Sequence, residues 1–559
     1  MLPGDKKFFS EDIKVYRDHM RKHPESTNIG QDILSEWADL SGINKTDLMA
    51  DNPLSKATQL QTLQDILKDV ESDANYQTIT RHAFGTVAIL PDTQNLIGFD
   101  VSIENKGVDT LPESFSGPLL VNHLLNQAEH LFVNEIHGPE AFASFNGKYY
   151  TGLRDGRIVE VLPDRIETVA WLDPKKVGPE VCSKPYKFQC GRALGLRFDS
   201  KGTLYAVDPH HGVFAVNVQT GAIKLVVDTK EIGAKFLDDM VIIEKPGGAG
   251  MIFYLSDVST RWDLNQAMFC AAEHDRTGRL LSYDTQTKKM TVEYENLAFP
   301  NGLELTDDKS ALLLCSINDR LVYRYGISGP EKGKLVTILD NLPGEPDNIK
   351  RSADRTRETF WVGIYTARNK HRPHFAFDVV AKNVYLTRFI VRLQFIVGSV
   401  VEWYAKLVDS DCLLKIGVGF KSGLIPNMGH CEYGMALEID AKGNILNSLH
   451  SPDGKTCALS EVFEMEDQND GQRRFLLGSA TNPYLGRLSL PVSAFRTASK
   501  LETKQKETVK LGETPKPVKT VESTPVKTKT AESKPPPQAK KTSQSAKASQ
   551  TSEAKRDEL

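Results

Sequence analysis

Tyr149-Tyr150-Thr151-Gly152-Leu153-Arg154-Asp155-Gly156-Arg157-Ile158-Val159-Glu160-Val161 reads as a strand, a tight Asp-Gly turn and a second strand. The same texture recurs at 202–216, 251–257, 280–283, 311–325, 359–363, 435–450 and 474–490. Hairpins repeated at fairly even spacing predict an all-β propeller of about six blades. One β-sandwich is the runner-up, but the strand-rich span is too long for it. Residues 108–492 are assigned to the propeller. Residues 1–107 are read as a helical segment of unknown role, with amphipathic spacing at 9–22, 29–40 and 57–70. After about Ser493, Lys, Thr, Ser and Pro dominate, so 493–559 is expected to be a disordered tail that cannot bury enough apolar area to order itself.

Composition is that of an ordinary soluble protein, with 40% hydrophobic and 25% charged residues and a net charge of −4. No nucleic-acid partner is expected from that balance. Seven cysteines in 559 residues are too few for a disulfide scaffold, and no C-x-x-C pair suggests zinc. The beginning, Met1-Leu2-Pro3-Gly4-Asp5-Lys6-Lys7, lacks the basic start and apolar run of a signal peptide or anchor. The end, Arg556-Asp557-Glu558-Leu559, reads as an address for the endoplasmic reticulum lumen. The two ends conflict, and the expectation is a secretory-pathway protein whose N-terminus as given is incomplete or alternative.

Four acid-or-amide motifs stand far apart in the chain: Gly138-Pro139-Glu140, Phe236-Leu237-Asp238-Asp239, Phe299-Pro300-Asn301-Gly302 and Pro346-Asp347-Asn348-Ile349. No single helix or loop could gather them, whereas a fold that returns to one axis could. Oxygen-only ligands from several blades suit a hard cation, calcium first. Taken one at a time, each motif also reads as a turn, since Asp and Asn beside Gly or Pro serve turn chemistry.

These motifs, with Cys190-Gly191-Arg192-Ala193-Leu194-Gly195-Leu196, Tyr254-Leu255-Ser256-Asp257, Gly278-Arg279-Leu280-Leu281-Ser282-Tyr283-Asp284 and Phe360-Trp361-Val362-Gly363, resemble the strictosidine synthase-like family over roughly 108–490. The resemblance implies a six-bladed propeller holding Ca2+ in its channel, and kinship to paraoxonases. Carried over by position, it implies Glu140, Asp238, Asn301, Asp347 and Asn348 as metal ligands, with Asp238 where relatives usually have Asn. It also implies a disulfide between Cys182 and Cys190. Cys270, Cys315, Cys412, Cys431 and Cys457 are read as buried thiols.

Catalysis transfers less completely. The acid–base glutamate of true strictosidine synthases is matched by Ser460, with Glu461 one residue away and so facing the other way on a strand. Alkaloid condensation is therefore not expected. One paraoxonase histidine is matched by Leu194, while His210 and His211 sit beside the place of the other. They read either as a displaced general base or as two loop histidines. The implied function is hydrolysis of a small ester or lactone; the rival is a non-catalytic binding propeller with a structural metal. The stretch 375–408 has helical, amphipathic spacing and reads as a helix packed on one face, a lid, or a surface resting on a membrane. Asn44-Lys45-Thr46 is a glycosylation sequon.

Overall fold

The computed structural model describes residues 115–172, 191–373, 378, 384–422, 432–466 and 468–495. Segment 1–107, with its sequon, lies outside the described residues, as do Cys182, Cys190, Cys431 and the tail beyond Phe495. The chain forms six four-stranded antiparallel sheets arranged as the blades of a propeller. Their innermost strands are Phe142–Phe145, Gly195–Phe198, Leu237–Glu244, Pro300–Leu305, Gly344–Arg351 and Val462–Glu464, heading blades one to six. Blade six is completed by Glu129–Leu131, which pairs with Leu485–Pro491 from the far end of the fold. That closure ties the first described strand to the last and leaves no seam in the ring.

The strands follow from burial. Ala311–Ser316, the second strand of blade four, is buried at every position because neighbouring blades cover both faces. Its sequence is accordingly a continuous apolar run rather than an alternation. Side chains of adjacent blades interleave, as where Leu313 and Cys315 meet Ile349, Phe360, Val362 and Leu437. The last described residues also belong to the propeller. Phe495 is buried against Trp361 and Phe475, so the expected tail cannot begin as early as Ser493.

One insertion interrupts blade five, between its second strand Thr359–Ala367 and third strand Gly434–Asp440. It holds the helix Val384–Leu407, within the span read as helical, and a second helix Asp411–Lys421 that the spacing did not reveal. Their backbones touch where Gly398 meets Gly417; a methyl on Gly417 would stand 2.6 Å from the Glu402 nitrogen. Cys412, expected to be buried, is exposed at the start of this second helix, whereas Cys270, Cys315 and Cys457 are buried.

Candidate metal centre

Three successive blades open their innermost strands in the same way. Pairing passes from Leu237 to Met240 opposite Asp257 and Leu255, from Pro300 to Leu303 opposite Ser316 and Leu314, and from Pro346 to Ile349 opposite Ile364 and Val362. Each is a β-bulge with one extra residue on the inner strand, a device that re-aims side chains. The bulged pairs are Asp238-Asp239, Asn301-Gly302 and Asp347-Asn348. Three of the four motifs that resembled turns are therefore strand irregularities, repeated around one axis. Glu140 joins them from just before the innermost strand of blade one.

Gly302 shows how closely the blades approach there. A methyl added to it would lie 2.5 Å from Asn348 Cα and 2.8 Å from the Asp347 carbonyl oxygen. No side chain larger than hydrogen fits without moving backbone.

Glu140, Asp238, Asn301, Asp347 and Asn348 are all buried. Buried polar atoms are nearly always hydrogen-bonded, yet the Oδ1 atoms of Asp238, Asn301, Asp347 and Asn348 have no hydrogen-bond partner. Burial pushes the Asp238 carboxyl well above the usual range, and the charges of Glu140 and Asp347 push it further. Asp347 is raised in the same way, by burial and then by Glu140 and Glu461. Glu140 is raised by burial against the opposing pull of Arg192, whose Nη2 donates to Glu140 Oε2 at 2.8 Å. Acids that disfavour one another's ionisation, beside amide oxygens without donors, fit a bound divalent cation. Among the described residues no cluster of His, Cys, Asp and Glu alone could hold a metal; the set requires its two amides.

A second layer of charge is partly paired, although Asp239 Oδ1 and Glu461 Oε2 also lack hydrogen-bond partners. Asp239 Oδ2 accepts from Leu303 N at 3.0 Å and from Arg197 Nη2 at 3.1 Å. Glu461 Oε1 accepts from Phe142 N at 2.7 Å, and its Oε2 lies 3.3 Å from Lys350 Nζ. These acids hold blades together. Ser460 donates its hydroxyl to the Glu140 carbonyl at 3.0 Å and so fastens the segment that carries Glu140.

The long helix of the insertion covers this mouth. Val391 and Phe395 pack in one apolar cluster with Leu194, Phe236 and Phe299, each the residue immediately before an innermost strand. The helix thus lowers the dielectric above the ring. His210 and His211 lie farther out, in the turn between the second and third strands of blade two. His211 Nδ1 is 2.8 Å from buried Asp208, and the His210 carbonyl accepts from Thr229 Oγ1 at 2.8 Å. Sequence reasoning missed Arg192 as the partner of Glu140, although it stands in the quoted Cys-Gly-Arg run.

Sequence models described as strictosidine synthase and as strictosidine synthase-like, N-terminal, match residues 238–330 and 117–161. The adipocyte plasma membrane-associated protein of Danio rerio is 32% identical over 384 residues, covering 68% of this chain and 82% of that protein. A protein of Arabidopsis thaliana named strictosidine synthase-like 9 is 31% identical over 368 residues, 64% of this chain and 87% of its own. Among solved structures, a calcium-binding protein, regucalcin, of Agrobacterium tumefaciens is similar at a TM-score of 0.37 and 10% identity, covering 66% of this chain and 93% of that one. A likeness at that level does not bear on chemistry. No helix among the described residues is long and apolar enough to cross a membrane. By its sequence relatives and its ordered motifs, the chain belongs to the strictosidine synthase-like family.

Proposed function

We propose that this propeller binds calcium through Glu140, Asp238, Asn301, Asp347 and Asn348 and hydrolyses small esters or lactones. The observation that carries the reading is the set of buried side-chain oxygens without donors on three neighbouring blades. A bound divalent ion would supply charge, acidifying water and polarising a carbonyl. The chain's own part is to orient and to exclude. Arg192 holds Glu140 in place, while Leu194, Phe236, Phe299, Val391 and Phe395 keep bulk water from the mouth. Condensation of the strictosidine type is not proposed, because the Ser460 hydroxyl does not ionise near neutrality and is committed to the Glu140 carbonyl. The test is turnover of phenyl acetate and δ-valerolactone by purified protein, with calcium and with chelator. Calcium-dependent hydrolysis that Asp347→Asn abolishes is expected. A chelator-sensitive melting temperature without any turnover would instead establish the rival reading, a binding propeller with a structural metal.

The proposed setting is the secretory pathway, on the strength of Arg556-Asp557-Glu558-Leu559. The proposed macromolecular contact is a lipid surface. Leu393, Val397, Val400, Trp403, Tyr404 and Leu407 form an exposed stripe along the long helix, with Lys406 beside it. Aromatic side chains of this kind settle at the headgroup boundary, with lysine reaching to the phosphates. Phosphatidylcholine vesicles should sediment the protein and should release the variant carrying Trp403→Ser and Leu407→Ser. Equal sedimentation of parent and variant would discard the contact.

A further inference from the structure

Two arginines flank the proposed metal ring, and among the described residues only Arg192 has a side-chain hydrogen-bond partner. Arg192 donates from Nη2 to Glu140 Oε2 at 2.8 Å and to the Ala480 carbonyl at 2.7 Å, while its backbone N–H donates to Asp208. Arg154 leaves the turn of the first hairpin, its backbone N–H donating to the His137 carbonyl at 2.9 Å. Among the described residues no carboxylate or carbonyl pairs with its guanidinium, and its Nε is buried without a partner, as is that of Arg192.

Gly138 separates the two. A methyl on that glycine, whose φ is +62°, would stand 3.2 Å from Arg154 Cβ and 3.3 Å from Arg192 Nη2. The glycine that begins the Gly138-Pro139-Glu140 motif thus leaves room for the base of the Arg154 side chain and the Arg192 guanidinium to stand on either side of it. Burial, and then the charge of Arg192, pull Arg154 down to about 10, with Tyr365 and Glu140 opposing. Even so it remains a cation at neutral pH. Glu140 cannot neutralise both, because the ring claims it. A half-buried guanidinium beside a second one, with open donors and no acceptor, is the arrangement in which an anion completes the balance.

We propose that Arg154 and Arg192 form an anion subsite at the channel mouth, so that the natural substrate is an ester or lactone bearing a carboxylate or phosphate. The proposal rests on the hydrolase reading for the word substrate, but the subsite itself does not. Its place beside Glu140 sets the anion next to the ring, while Asp208, which accepts from the Arg192 backbone N–H, also holds His211. Hydrolysis would then be selective through KM, since the guanidinium fork grips a group that does not react.

The test compares 4-acetoxybenzoate with phenyl acetate, which share the leaving-group ring and differ in the carboxylate. The calcium-loaded parent should prefer the charged ester about ten- to hundredfold in kcat/KM, the range for a charge-assisted hydrogen bond. Arg154→Gln should bring that ratio close to one while keeping the calcium-dependent rise in melting temperature. Arg154→Lys, which keeps the charge but loses the fork, should fall between. Calorimetric titration of succinate and of inorganic phosphate into calcium-loaded protein reads the same subsite without turnover, and tells a carboxylate site from a phosphate site. Absence of turnover with binding lost on Arg154→Gln would overturn the hydrolase and leave the subsite standing. No preference between the esters, or succinate and phosphate binding equally to parent and Arg154→Gln, would overturn the subsite.

Discussion

Two buried charge clusters in this propeller are built on opposite plans. Between blades five and six, Arg473 lies among Glu438 and Glu464, donating to Glu438 at 3.1 Å and from Nη2 to Glu464 at 2.8 Å. Asn447 and Thr359 add donors to Glu438, Ser352 and Trp361 add donors to Glu464, and the guanidinium stacks 4.3 Å from the Phe495 ring. Every acid there has a mate. At the channel mouth Asp238 and Asp347 face other acids, and their Oδ1 atoms have none. Both clusters are equally removed from water, so burial does not separate them. Partnering does: the satisfied cluster fastens blades, and the unsatisfied one is the proposed cation site.

The largest effect should come from breaking the satisfied cluster. Arg473→Met leaves two acids buried without their cation, which costs about 3–5 kcal/mol, read from urea unfolding. The analogous loss at the mouth has the other sign. Asp347→Asn removes a charge that repels its neighbours, so the chelated protein should be as stable as the parent or more so. If Asp347→Asn destabilised chelated protein as much as Arg473→Met, the contrast would collapse.

Calcium sharpens it next. A ligand at a hundred times its Kd stabilises by about 2.7 kcal/mol, so chelator should lower the melting temperature of the parent. Asp238→Asn and Asp347→Asn should shrink that shift. Arg473→Met should keep it, starting from a lower melting temperature.

A smaller effect is expected at Gly302, which bears no ligand atom. Gly302→Ala forces a methyl to within 2.5 Å of Asn348 Cα, and overpacking of this kind costs about 1–3 kcal/mol. Because the displaced backbone carries Asp347 and Asn348, calcium affinity should fall along with stability. A loss of stability with unchanged affinity would show that the ring tolerates a shift of blade five against blade four.

How far the sequence reveals all this differs by strand. The second and third strands were legible because both their faces are covered, which yields runs such as Leu312-Leu313-Leu314. The innermost strands were not, because Pro300-Asn301-Gly302 and Pro346-Asp347-Asn348 are composed like turns and only their pairing shows them to be bulged strands. The ligand candidates could still be named, since oxygen-bearing residues in ordered motifs survive without knowledge of the bulge. Arg154 could not, for a turn arginine looks the same whether it faces solvent or a channel mouth. The second helix, Asp411–Lys421, escaped because its spacing follows a break at Asp409-Ser410, where the first helix was read to end.

The pH dependence tests the contrast most finely. Asp238 and Asp347 are raised in the folded chain, so it holds more protons than the unfolded chain from the ordinary carboxylate range up to their raised values. Stability of chelated protein should therefore fall as pH rises through that window. His450 contributes the other sign: burial pushes it down to about 4, so stability is lost as pH falls from its ordinary 6.5. Comparing parent with Asp347→Asn cancels His450 and leaves the ring. Asp347→Asn should remove part of the fall in stability toward neutral pH, and added calcium should reverse the slope in the parent, because the ligands must be deprotonated to bind. Parent and Asp347→Asn curves that ran parallel in chelator would mean that the acids at the mouth are not set against one another, and the distinction between the two clusters would lose its physical basis.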